Sequence, residues 1–211
     1  MGKLVYGAGI NDANYVVEQR EEAPRVNGKR RQNLVWTCPF YLAWKGMLRR
    51  CVGGKSKAGQ PTYGDVTCCK EWLTFSNFKR WMEQQDWQGK QLDKDIIIVG
   101  NRVYRPEACA FVSGATNSFI ISSETKRGKW PLGVYWCKDS FRAQCRNPFT
   151  KKREYLGCHN TPEQAHEAWR KRKHELAQLV ATTESDPRVV EAIKKRYSLE
   201  MWYVNKGEMN V

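Results

Sequence analysis

The chain has 211 residues, 41% of them hydrophobic, with nine tryptophans, and its 36 Lys/Arg against 22 Asp/Glu give a net charge of +14. That apolar share is ample for packed cores in one large or two small domains, and no internal repeat or low-complexity tract interrupts it. No run of 18 apolar residues and no apolar leader is present, and Tyr6 occupies the Ser/Thr position of the N-myristoylation pattern, so a soluble cytoplasmic protein without a membrane partner is expected.

Residues 1–33 read as an N-terminal extension to a first module at 34–125. In CPFYLAWKGMLRRC the residues Phe40, Trp44, Met47, Leu48 and Cys51 recur at helical spacing, which predicts an amphipathic helix ending at the Gly53-Gly54 turn. A basic loop, GKSKAGQPTYGD, follows. Trp72, Phe75, Phe78 and Trp81 in EWLTFSNFKRWMEQQ predict a second helix, whose aromatic stripe suits core packing better than base stacking.

Next comes LDKDIIIVGNRVYRPEACAFVSGATNSFI. The pattern predicts an apolar strand from Ile96 to Val99, a Gly100-Asn101 turn closing a hairpin, a second strand and a helix around Asn117. On composition alone, the charged LDKD stretch reads as a solvated strand entry.

Eight cysteines in a reducing compartment argue against a disulfide framework. Cys38, Cys51, Cys69 and Cys109 are enough thiolates for a tetrahedral structural Zn²⁺ site, although no pair has knuckle spacing; buried free thiols are the alternative. Cys137, Cys145 and Cys158 suit small core or groove-lining positions in the region that follows.

That region, 126–181, holds 13 Lys/Arg against 5 Asp/Glu between residues 126 and 178, a net +8 and more than half of the chain's excess. Clustering of this kind is the electrostatic footprint of a phosphate-binding surface. From Phe141 to Arg146 the residues alternate: Phe141, Ala143 and Cys145 point one way, Arg142, Gln144 and Arg146 the other, as in a half-buried strand with a basic open face. After a Pro-Phe-Thr-Lys turn, Arg153 and Tyr155 continue a further strand before Gly157. Thr161 as N-cap, Pro162 at the first helical position and Gln164 in a capping box open a helix, whose stripe of Ala165, Ala168, Trp169, Leu176 and Leu179 covers the sheet. A tail, 182–211, carries one more helix, capped by Ser185, with Val189, Val190, Ile193 and Tyr197 as its apolar stripe and Lys194, Lys195 and Arg196 near its C-terminus. It either packs on the first module or mediates dimerisation.

Two resemblances give these elements a function. GVYW, FRAQCR, KREYLG and TPEQAHEAW together resemble the APETALA (ethylene-response-factor) type of DNA-binding domain, three antiparallel strands on one helix. This family lays its sheet in the major groove, so the resemblance implies contact with double-stranded DNA through Tyr135, Arg142, Gln144, Arg146, Lys152, Arg153 and Tyr155. Tyr135 and Cys137 stand where the family usually has arginines, so no base preference carries over. The tryptophan-rich helices, CCKEW and LDKD…GN.VY.PE.C.FV…N resemble a phage HNH-type homing endonuclease, whose ββα-metal module often carries an appended domain of the first kind.

The second resemblance implies metal-dependent hydrolysis of a phosphodiester, with Mg²⁺ or Mn²⁺ on Asp93 and Asn117. Lys94 replaces the histidine that activates water in the family, and Ala108 the middle asparagine of the signature. Asp95 or Lys94 then serves as base or phosphate clamp, unless catalysis has been lost. The expected architecture is α+β: a helical, ββα-metal-like module followed by a three-stranded antiparallel sheet packed on one helix. The expected function is site-specific endonuclease action on duplex DNA, the alternative a catalytically silent, regulatory or architectural DNA-binding protein.

Overall fold

Asn27 and Gly28 both hold left-handed backbone angles, φ 52° and 74°, the pairing that closes a two-residue hairpin without splaying its strands. They join β1 (Glu18–Val26) to β2 (Lys29–Thr37), an antiparallel ribbon that runs across the boundary at 33–34 read from sequence between an extension and the first module. The computed structural model describes residues 4–52, 65–120 and 129–198. The Gly53-Gly54 turn, most of the basic loop and the boundary at 125–126 lie outside them.

Helix α1 (Pro39–Val52) buries Tyr41, Trp44, Met47, Leu48 and Cys51, so Tyr41 takes the inward place expected for Phe40, which packs at the rim against Trp87. The second expected helix is two pieces, a 3₁₀ turn at Glu71–Leu73 and α2 (Phe75–Met82). Between them Thr74 is extended because the N-terminal segment crosses there. Ile10 donates its N–H to the Leu73 carbonyl and accepts from the Phe75 N–H, while Asp12 accepts from the Ser76 N–H. Those bonds replace helical ones and set the break. Trp44 Nε1 donates to the Trp72 carbonyl at 2.7 Å, tying α1 to the 3₁₀ turn inside an apolar cluster that includes Phe75, Phe78 and Tyr104.

Strand β3 (Thr67–Cys68) pairs in parallel with β5 (Val103–Tyr104), and β4 (Gln91–Asp93) pairs antiparallel with β6 (Ala110–Val112), which leads into α3 (Gly114–Ile120). Gln91–Asp93 therefore takes the place of the expected first strand, and the Gly100-Asn101 turn closes no hairpin, because β5, which lies between β4 and β6 in the chain, pairs with β3. The expected Ile96–Val99 strand is instead part of the connecting loop, where Ile96 is buried as an anchor and Gly100 turns the chain at φ 78°. The reason is local. Asp93 Oδ1 accepts from the N–H groups of Asp95 and Ile96, bending the chain out of the ladder immediately after β4.

The C-terminal region is a three-stranded antiparallel sheet in the order β7 (Val134–Cys137), β8 (Ser140–Arg146), β9 (Arg153–His159), packed on α4 (Pro162–Ala181). Thr161 caps α4 by accepting from the Gln164 N–H, and Pro162 stands in its first turn. Leu179 is 51% exposed and faces away from the sheet; Leu176, Ala177, Val180 and Ala181 are the buried residues of the helix's second half. They join Ile96, Ala110, Val112, Phe119 and Ile120 in one cluster with Val189 and Ile193 of α5 (Pro187–Arg196). The tail therefore packs on the β4–β6–α3 unit, and the same cluster receives Cys145 from the back of the sheet. Asp186, not Ser185, caps α5: its carboxylate accepts from the Arg188 N–H, whereas the Ser185 hydroxyl donates to Asp86.

The observed fold is mixed α+β, with five α-helices and several small sheets among the described residues.

Candidate nucleic-acid interface and candidate catalytic strand

Alternation along β8 sorts its side chains as expected. Phe141, Ala143 and Cys145 are buried toward α4, while Arg142, Gln144 and Arg146 face outward. Cross-strand register then fixes their companions, because residues directly opposite share a face. Tyr135 lies across from Arg142, Tyr155 from Gln144, and Arg153 from Arg146. All the sheet residues expected at a duplex thus share one open face, and Lys152 stands beside it in the exposed β8–β9 turn.

The face is ordered before any partner arrives. The Arg142 guanidinium sits 5.8 Å from the Tyr155 ring centre, and its Nη2 donates to Cys137 Sγ at 3.3 Å. Tyr155 donates its hydroxyl proton to Cys158 Sγ at 3.3 Å, and this bond is the main reason that the Cys158 thiol is held below its ordinary range. Cys137 and Cys158 therefore line the open face and only Cys145 is core. Asn147 organises the β8–β9 turn: its Oδ1 accepts from the N–H groups of Phe149 and Thr150, and its Nδ2 donates to Glu154.

Glu154 accepts a bidentate pair from Arg172 of α4, Nε at 2.6 Å and Nη2 at 3.1 Å, which holds its carboxyl below the usual range. Arg172 and Glu154 fasten the sheet to the helix from behind. Sequence reading missed both residues, although a buried-side Glu between two outward residues was the available sign. Arg146 and Arg153 have no ion-pair partner among the described residues.

The strand–strand–helix unit places the other candidates. Asn117 on α3 donates its Nδ2 to Gln91 Oε1 at 2.7 Å. Gln91 and Asp93 are two residues apart on β4 and so share a face, about 7 Å from one another along a strand. Asn117 therefore reaches the face that carries Asp93 but is bonded one step away from it. Burial, and secondarily the neighbouring Asp95 charge, push the Asp93 carboxyl up. Lys94 Nζ lies 3.4 Å from Asp95 Oδ2.

Asn101, read from sequence only as a turn residue, fixes this loop by donating to the carbonyls of Lys94 and Val103. Ala108 is buried and contributes no polar group. The three histidines lie elsewhere, with ring nitrogens on the carbonyls of Leu156, Leu132 and Tyr197.

The oxygens of Asp93, Asp95 and Asn117 are hard donors, which suits Mg²⁺ or Mn²⁺ in kind, since such ions are held by one or two carboxylates and keep several waters. Among the described residues no three or more His, Cys, Asp or Glu gather where they could hold a metal ion. Of the cysteines named as thiolate ligands, Cys109 lies near enough to Cys51 and to Cys69 for their charges to be felt. Cys51 is hydrogen-bonded to Cys68, which drives the Cys51 thiol up and lowers that of Cys68. Cys38 lies against Tyr15, and Cys69 against Glu71 and Trp72. Burial pushes Cys109 up to about 12.

No protein-family model, curated protein or solved structure matches this chain. No described helix is long and apolar enough to cross a membrane.

Proposed function

We propose that the protein is a site-specific endonuclease of the HNH homing type acting on double-stranded DNA. The observation that carries the DNA reading is the open face of β7–β8–β9, where Tyr135, Arg142, Gln144, Arg146, Arg153 and Tyr155 stand together and Arg146 and Arg153 lack a carboxylate partner among the described residues. Arginines in that setting suit phosphate oxygens and guanine edges, and the two tyrosines add hydroxyl and apolar contacts.

Support for hydrolysis comes from the antiparallel β4–β6 pair backed by α3, with Asp93 closing β4 and Asn117 reaching its face. Asp93 and Asn117 are the residues that would hold the divalent cation; when bound, it neutralises developing phosphate charge and makes its water a better nucleophile. Lys94, ion-paired with Asp95, is set to hold a non-bridging phosphate oxygen, and the Asp95 carboxylate to take the proton from the attacking water. Asn101 keeps the backbone of Lys94 in place for both roles.

A second reading, a catalytically silent DNA-binding protein, is favoured by one observation: Asp93 Oδ1 is already engaged by two backbone N–H groups, as in a purely structural turn. Incubation with a random-sequence duplex library in Mg²⁺ and in EDTA separates the two. Cleaved ends that appear only with the cation support the endonuclease, and binding without cleavage in either buffer leaves the silent reading.

A further inference from the structure

The β1–β2 hairpin is exposed on both faces from Asn27 to Trp36, and an isolated two-stranded ribbon is at best marginally stable in water. Its root is tied down by the Glu18–Lys45 ion pair and by the Cys38 N–H donating to the Val17 carbonyl, so the ribbon projects from a fixed base. Charge along it is polarised. Toward the root Glu18, Glu21 and Glu22 outnumber Arg20, which is ion-paired with Glu18, whereas residues 23–36 contain Arg25, Lys29, Arg30 and Arg31 and no acidic residue.

The cations also divide between faces. Lys29 and Arg31 alternate with Arg30 along β2, which puts them on opposite sides of the ribbon. A ribbon docking flat on an acidic protein needs positive charge on one face only. One lying between two walls of phosphate needs it on both, and the major groove of B-DNA is wide enough to admit a two-stranded ribbon.

We propose that the β1–β2 hairpin is a second duplex-binding arm, inserted in the major groove beside the segment read by the β7–β8–β9 sheet. It rests on the DNA-binding reading above but uses other residues. Arg25, Lys29, Arg30 and Arg31 contact phosphates on both groove walls and set affinity and footprint length, and the sheet sets sequence preference.

The test uses the full chain, a duplex containing its selected site, and three variants. They are Arg25→Gln/Lys29→Gln/Arg30→Gln/Arg31→Gln together, Arg30→Glu alone, and Arg146→Gln/Arg153→Gln. Every altered hairpin residue is exposed, so thermal melting should match wild type. The fourfold variant should lower the slope of log affinity against log salt by about 2 to 4 and weaken binding roughly tenfold or more at ~0.15 M salt. It should also unmask guanine N7 positions at one end of the footprint while keeping the preferred site, and Arg30→Glu should weaken binding in the same direction.

Wild-type affinity, slope and footprint in the fourfold variant overturn the arm. An Arg146/Arg153 variant that binds as wild type overturns the sheet reading instead. An equal loss on duplex RNA, whose major groove is too deep and narrow for a ribbon, overturns the groove placement. A fourfold variant that changes only the sedimenting mass makes the hairpin a contact between copies and likewise overturns the proposal.

Discussion

Arg146 on β8 stands directly across from Arg153 on β9, a like-charge cross-strand pair at the open mouth of the sheet. Like charges placed opposite one another destabilise a sheet, so this pair costs the free protein stability that a bound phosphate would return. Arg153→Gln should therefore raise the stability of the free protein by about 0.2–1 kcal/mol and weaken duplex binding by about 1–3 kcal/mol where a base edge is contacted. Thermal melting beside a binding titration checks both signs. A variant less stable than wild type, with unchanged affinity, would place the pair outside the interface.

Gly133 sets where β7 begins. Its φ is +79°, and a Cβ there would lie 2.0 Å from the Trp169 ring of α4. Gly133→Ala should cost about 2–4 kcal/mol, combining left-handed strain with overpacking against a ring. Chemical denaturation measures it, and a loss below ~1 kcal/mol would mean that Trp169 moves aside freely.

Lys173 gives a pH signature. Its ammonium donates to the Phe119 carbonyl and lies 3.4 Å from the Phe119 ring centre, and burial lowers its pKa to about 8. In the unfolded chain a lysine titrates near ~10.4 and holds its proton more tightly. The burden of the buried charge is thus full below about pH 8 and is relieved as pH rises toward ~10.4, so this group makes stability rise across that window. Relative to Lys173→Met, wild type should gain on the order of 1–3 kcal/mol between the two values. Parallel stability curves would show that Lys173 is solvated.

The thiols should separate by reactivity. Cys158 is exposed and its thiol lowered, chiefly by the Tyr155 hydroxyl, whereas Cys109 is buried and pushed up to about 12. A thiol reagent at pH 7.5 should label Cys158 first and leave Cys109 unlabelled until unfolding. Because Cys158 lines the open face, prior labelling should weaken duplex binding, and added duplex should slow the labelling. Peptide mapping of the modified protein identifies the site.

How much of this was legible in the sequence depends on whether the deciding interaction was local. Alternation of Phe141, Ala143 and Cys145 with Arg142, Gln144 and Arg146 settled the faces of β8, and Thr161-Pro162 marked the start of α4, because both signals lie within a few residues. The break at Thr74 was hidden, since it depends on Ile10 and Asp12, more than sixty residues away. The apolar run Ile96–Val99 imitates a strand, but the Asp93 carboxylate bends it into a loop, and only the Asn101 amide shows why that loop is ordered. The β1–β2 hairpin has its turn signal in Asn27-Gly28, but its flanks carry charge rather than the apolar alternation that marks a strand. Leu179 kept helical spacing yet faces outward, as the second half of α4 turns its buried side toward α5.

The most direct test of the endonuclease is Mg²⁺-dependent nicking of a duplex bound by the protein, with wild type, Asp93→Ala and Asn117→Ala compared at equal occupancy. The expected result is cleavage by wild type that EDTA abolishes, loss of roughly 10²-fold or more in rate in both variants, and duplex affinity nearly unchanged, because the residues proposed to bind the duplex lie on the sheet and the β1–β2 hairpin, away from Asp93 and Asn117. Wild-type protein that binds its duplex but yields no nick with Mg²⁺ or Mn²⁺ between pH 6 and 9, or an Asp93→Ala variant that cleaves at the wild-type rate, would contradict it.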